Sequence, residues 1–143
     1  GINQEEIKKI LPLREDMLLL DDVETDGETA VGHYRVRGDE FFLRGHFPEK
    51  PVVPGVILCE ILAQSACALM QDQMRTGTLP VYTGLNHVKF RKSVLPGDLI
   101  ETSCRLTRCK PPFYFAEGKA QVGDAVCVTA EFSFALREGS DVF

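Results

Sequence analysis

The chain of 143 residues is long enough to bury the core of one ordinary domain without disulfide or metal staples. Hydrophobic residues account for 44% and charged residues for 26%, and a formal net charge of -5 excludes a generally basic surface of the kind that grips nucleic acid. No apolar run approaches the roughly 18 residues that cross a bilayer and no signal peptide is read, so a cytoplasmic protein without membrane insertion is expected.

Repeats, low-complexity tracts and linker-like shifts of composition are absent, so residues 1–143 read as a single domain. Asn3 followed by Glu6 resembles a capping box, which predicts a short helix carrying Ile7 and Ile10 and closed by Pro12. Residues 17–23 form a short apolar run, read as a strand that ends in the turn at Asp26-Gly27. From Thr29 to Arg37 the alternation of Ala30, Gly32, Tyr34 and Val36 with Val31, His33, Arg35 and Arg37 predicts a half-buried strand. Residues 56–70, VILCEILAQSACALM, are apolar on nearly every side of a helical wheel, the mark of a helix buried at the centre of a fold. Pro54 suits its first turn, Gly55 permits close approach to its backbone, and Gly77 and Pro80 end the segment. Four strands are predicted at 81–94, 99–108, 113–122 and 125–136, with Pro96-Gly97-Asp98 and Gly123-Asp124 as turns. One apolar helix followed by an antiparallel meander predicts an α+β fold, a sheet wrapped around one long central helix.

Within that helix Glu60 stands out, because a carboxylate among apolar residues is costly to bury unless it is paired, hydrogen-bonded or protonated. Gln64, Cys67 and Gln71 share its stripe, and Gln64 is one turn away. Two readings stay open at this point: a polar stripe facing solvent or a second copy, and a buried carboxyl whose raised pKa makes it a proton donor near neutral pH. Of the three histidines, His33 alternates with arginines on a strand and is expected to be exposed, and His87 sits beside Lys89 in a structural or surface role. His46 lies in a loop stiffened by Pro48, Pro51 and Pro54 that feeds the helix N-terminus, the surroundings catalysis needs. Cys59, Cys67, Cys104, Cys109 and Cys127 lack a CxxC pair and are odd in number, as free thiols in a reducing compartment would be.

GHFPEKPVVPGVILCEILAQ, residues 45–64, resembles the active-site signature of the (3R)-hydroxyacyl-acyl-carrier-protein dehydratases of bacterial type II fatty acid synthesis. The N-terminal EIKKILPLREDMLLLDDV, the central LNHVKFRKSVLPGDLI and the last-strand AVCVTAEFSFAL resemble the same family in order and spacing. The resemblance implies a hotdog fold and a homodimer with shared active sites, His46 coming from one subunit and Glu60 from the other, with further assembly into a hexamer as a trimer of dimers. It implies loss of water from a (3R)-3-hydroxyacyl thioester, with His46 as base, Glu60 as acid, the Gly55 N–H as oxyanion donor and the Val52 carbonyl fixing the His46 tautomer, supported by Gln64. No metal and no organic cofactor is implied. The partner implied is acyl carrier protein bearing a phosphopantetheine-linked substrate; that carrier is acidic, so Lys89, Arg91, Lys92 and Arg44 are the candidate contacts. Two departures from the family pattern, Leu13-Arg14-Glu15-Asp16 and the unplaced gating aromatic near Val81-Tyr82, touch chain-length preference rather than the catalytic pair. The rival readings are a dehydratase that also isomerises the double bond, a hotdog thioesterase and a non-catalytic acyl-binding scaffold.

Overall fold

The computed structural model describes residues 1–11, 17–44, 50–73 and 78–138. Strand β1 (Ile2–Asn3) leads into helix α1 (Gln4–Ile10), which opens on the expected capping box. Asn3 Oδ1 accepts from the Glu6 N–H at 3.1 Å, and Glu6 Oε1 accepts from the Asn3 N–H at 3.5 Å. Ile7 carries the buried face of this helix into the core.

Strands β2 (Asp22–Thr25) and β3 (Thr29–Arg35) form a hairpin closed by Asp26, whose carboxylate accepts from the N–H groups of Glu28 and Thr29. The strand expected over 17–23 is corrected here. Only Asp22 and Val23 of that run join the ladder, whereas Leu18, Leu19 and Leu20 are buried outside any strand. Their backbone is held by side chains instead: Gln4 Nε2 donates to the Leu20 carbonyl at 3.0 Å, and Gln64 takes up Met17 and Leu19. An unbroken apolar run says that a segment is buried but not which partner satisfies its backbone.

Helix α2 (Gly55–Cys67) continues into a 3-10 turn (Ala68–Met70), matching the predicted span to within a residue. Ile61, Leu62 and Ala66 are wholly buried, and no polar stripe of α2 runs out to bulk solvent along its length. The helix lies close over Gly32, where a Cβ would stand 2.6 Å from Ser65 Oγ and 2.8 Å from Thr102 Oγ1. Those two hydroxyls bond each other at 2.6 Å, and Thr102 Oγ1 also accepts from the Gly32 N–H.

Strands β4 (Thr78–Phe90), β5 (Leu99–Lys110), β6 (Phe113–Val122) and β7 (Ala125–Glu138) complete a seven-stranded antiparallel sheet of order β1-β2-β3-β5-β6-β7-β4. The α+β hotdog architecture expected from the sequence is therefore present: one antiparallel sheet around one central helix. β4 begins three residues earlier than expected and ends at Phe90; beyond it only Arg91 and Lys92 reach back, both donating to the Cys127 carbonyl. The strand expected over 125–136 is present as β7, with Val128, Ala130, Phe132 and Phe134 turned into the core. Gly123, at φ +56°, makes the two-residue turn that pairs Val122 with Ala125. β4 is bonded to β7 along one side only, and its other edge is open among the described residues.

Candidate active site

Glu60, Ala63, Gln64 and Cys67 fall at positions i, i+3, i+4 and i+7 of α2, so they line one face over two helical turns. Gln64 is only 2% exposed and all of its hydrogen-bonding groups face partners. Its Oε1 accepts from the Leu19 N–H at 2.9 Å, and its Nε2 donates to the Met17 carbonyl at 2.9 Å and to Glu60 Oε2 at 3.0 Å. The Leu19 N–H can meet only an oxygen, so it fixes which way round the amide lies and turns the NH2 toward Glu60. Burial pushes the Glu60 carboxyl above its ordinary range, and the Gln64 hydrogen bond offsets this only in part. Glu60 is thus held by Gln64 and only partly desolvated within the chain, and burial favours its protonated form.

The carboxyl group opens on a cavity of about 290 Å³. Apart from Glu60 and Gln64 its walls are Leu11, Ala63 and Cys67 on one side and Leu79–Tyr82 with Phe134 on the other. Tyr82 spans the two sides: its ring packs edge-on against Phe132 and its hydroxyl donates to the Cys59 carbonyl of α2 at 2.7 Å. Burial raises the Tyr82 phenol far above its usual value, and it raises the Cys67 thiol to about 12, so neither ionises near neutral pH. Among the described residues that line the cavity, Glu60 is the one carboxyl, set in an apolar wall, an arrangement that suits a hydrocarbon chain ending at a polar centre.

At the other end of α2, Pro54 supplies no side-chain cap for the first N–H groups, so the helix presents donors there. A Cβ on Gly55 would stand 2.6 Å from the Phe90 ring, so only glycine lets that ring lie over the helix start. Val52, Gly55, Phe90, Arg91 and Lys92 border an open recess beside it. The preceding loop is anchored by Glu40, a buried carboxylate that accepts from the Tyr34 hydroxyl at 2.6 Å and from the N–H groups of Arg37 and Gly38. Burial acts to raise its pKa, but these donors outweigh it and hold the carboxyl below its ordinary value. A 3-10 turn (Phe41–Leu43) with buried Phe42 and Leu43 follows, ending at exposed Arg44. His46 lies outside the described residues, in the five-residue stretch between this turn and the segment that enters α2.

The basic candidates divide. Arg91 and Lys92 stand at the recess by Gly55, while Lys89 faces the outer side of the sheet. His33, expected to be exposed, is instead partly buried between two carboxylates, with Nδ1 2.7 Å from Asp22 Oδ1 and Nε2 3.0 Å from Glu101 Oε2. His87 is on the surface as expected, paired with Glu131 at a bulge where its φ is +52°. Phe90 and the backbone at Met17 and Leu19 were not foreseen as parts of the site. Tyr82, near which the sequence left a gating aromatic unplaced, lines the cavity.

A protein-family model described as a FabA-like domain matches residues 11–131. Among curated proteins, the 3-hydroxyacyl-(acyl-carrier-protein) dehydratase FabZ of Natranaerobius thermophilus is 41% identical over 136 residues, 93% of this chain and 96% of that protein. The protein of the same name from Macrococcus caseolyticus is 39% identical over 137 residues, 94% of each chain. Among solved structures, the dehydratase heterocomplex ApeI:P from Xenorhabdus doucetiae superposes with a TM-score of 0.81 at 18% identity, covering 95% of this chain and 93% of that one. The fluoroacetyl-CoA thioesterase FlK superposes at 0.68 with 14% identity, covering 82% and 92%. At these identities the two structures speak for the fold alone.

Proposed function

The chain belongs to the FabA-like domain family, and from that premise we propose that it removes water from a 3-hydroxyacyl thioester borne on acyl carrier protein, giving the trans-2-enoyl thioester in fatty acid synthesis. The observation that carries the reading is Glu60: a carboxyl whose pKa burial raises, oriented by Gln64 and facing an apolar cavity. In the proposed reaction neutral His46 takes the proton from C2. The C–H electron pair becomes the C2=C3 bond, and the C3 hydroxyl leaves as water with the Glu60 proton. His46 ends the step protonated and Glu60 ionised, and the Gln64 hydrogen bond favours that ionised carboxylate. The Gly55 N–H at the helix start receives the charge that builds on the thioester oxygen, and the Val52 carbonyl orients the His46 ring.

We further propose a homodimer in which His46 serves the Glu60 of the partner copy, with assembly to a hexamer as a trimer of dimers. The open β4 edge supports pairing, for it carries exposed Tyr82, Leu85 and Phe90, and Val56 at the start of α2 is 72% exposed. Arg44, Arg91 and Lys92 serve the acidic carrier in this reading, and the enzyme works in the cytoplasm without a cofactor.

The test is turnover of a 3-hydroxyacyl carrier substrate, followed by mass and double-bond position. His46→Ala and Glu60→Gln should each lower kcat by about 10²–10⁴ with fold and assembly kept. Near-wild-type turnover in either variant overturns the assignment; free thiol among the products marks a thioesterase, and a 3-enoyl product an isomerase.

A further inference from the structure

On the face of the sheet turned away from α2, strands β3 to β7 and β4 border an open groove of about 500 Å³. Its charges do not match those of the chain. The groove is lined by four cations, Lys89, Arg91, Arg105 and Lys119, against two carboxylates, Glu117 and Glu131, in a protein of net charge -5. Both carboxylates already have partners: Glu117 accepts from Arg105 Nε at 2.6 Å, and Glu131 meets His87 Nδ1 at 2.6 Å. Lys89, Arg91 and Lys119 have no carboxylate within ion-pairing distance among the described residues, and with His87 counted neutral the groove carries an excess of two positive charges.

The ladder sets their spacing. Thr129 on β7 pairs with Lys119 on β6 to one side and with Lys89 on β4 to the other, and Lys119 pairs with Ser103 on β5. Two strand steps separate the lysines, roughly 10 Å at the usual interstrand distance. An α-helix crossing the strands presents acidic side chains at i and i+7 about 10.5 Å apart. Arg91 also borders the recess at Gly55, so the groove and the helix end that receives the thioester oxygen share a rim residue.

We propose that this outer-face groove is the docking seat for the acidic carrier protein, with Lys119 as a contact that the sequence did not mark. The seat rests on the dehydratase reading. It extends the carrier footprint from the end of β4 across β6 and leaves Lys92 and Arg44 at its margin.

The experiment compares one 3-hydroxyacyl group on acyl carrier protein and on N-acetylcysteamine, with wild type and Lys119→Glu. Charge reversal should lower kcat/KM for the carrier substrate about five- to tenfold at low salt and flatten its dependence on ionic strength, while the small thioester is processed as by wild type. Ser103→Lys, which adds a cation in the same row, should raise the carrier value at low salt. An unchanged carrier kcat/KM in both variants overturns the seat, and so does an equal loss on both substrates, which would make Lys119 a structural residue. Wild type inactive on both substrates would instead sink the dehydratase reading, and the seat with it.

Discussion

Replacing Gln64 by Met keeps the volume of the side chain but removes its acceptor and both donors. Three groups then lose a partner: the Leu19 N–H, the Met17 carbonyl and Glu60 Oε2. Met17 is 41% exposed, so water can replace the amide at its carbonyl. Leu19 is 1% exposed, and its N–H would be orphaned at a cost of about 1–3 kcal/mol. That loss should appear as a lower midpoint in urea with an unchanged slope. The chemistry should change in a direction that simple destabilisation does not produce. The Gln64 hydrogen bond favours ionised Glu60, and without it burial alone acts and the carboxyl rises further. A general acid works only while protonated, so the limb on which kcat declines with rising pH should move to higher pH, and the plateau should fall because the carboxyl is no longer held. The assay is the pH profile of kcat on a 3-hydroxyacyl thioester, read by absorbance of the conjugated enoyl product. A limb that stays put or moves to lower pH would refute the argued role of the Gln64–Glu60 bond.

Because Glu60 binds its proton more tightly folded than unfolded, stability should decline as pH rises above the ordinary carboxyl value of 4.5. Glu60→Gln has no such decline, so its stability margin over wild type should widen as pH rises above 4.5; parallel curves would contradict a carboxyl whose pKa burial raises. At His33 burial acts to lower the pKa, but Asp22 and Glu101 outweigh it and the value is raised above 6.5. Its stabilising contribution is complete below 6.5 and is lost as pH rises through the raised value; His33→Asn should flatten that dependence, by at most about 1 kcal/mol in so exposed a cluster, and an unaltered pH–stability curve would count against the clamp. Gly55→Ala should push the Phe90 ring aside rather than the backbone, since Phe90 is 56% exposed, and should lower kcat by up to about a hundredfold. Phe90→Leu in the same chain should recover part of it; a loss that the second change leaves untouched would place the fault elsewhere.

Period and punctuation made most of the fold legible. The all-apolar stretch around Ile61 and Leu62 had to be central, the alternation around Phe132 and Phe134 had to be a half-buried strand, and Gly123-Asp124 had to turn. The Glu60–Gln64 contact could also be read, because one helical turn brings such residues together wherever the helix lies. What could not be read were contacts made at long separation by a single group. Leu18–Leu20 looked like a strand because three leucines report burial and nothing else; the Gln64 amide, 45 positions away, satisfies the Leu19 N–H. His33 looked exposed because its local neighbours are polar, but the carboxylates that enclose it come from β2 and β5. The basic residues after Leu85 formed one cluster in the sequence, whereas Lys89 lines the outer groove and Lys92 the recess beside Gly55.

Burial leaves the thiols unequal. Cys59, Cys67, Cys104 and Cys127 are buried, and desolvation raises each of them away from the reactive thiolate form. Cys109, near the end of β5, is exposed. A maleimide or haloacetamide should therefore modify the native protein once per chain, at Cys109, without mutagenesis. A dye placed there sits on β5, the strand that also carries Ser103 and Arg105 into the outer groove, and would report by energy transfer when a labelled carrier arrives.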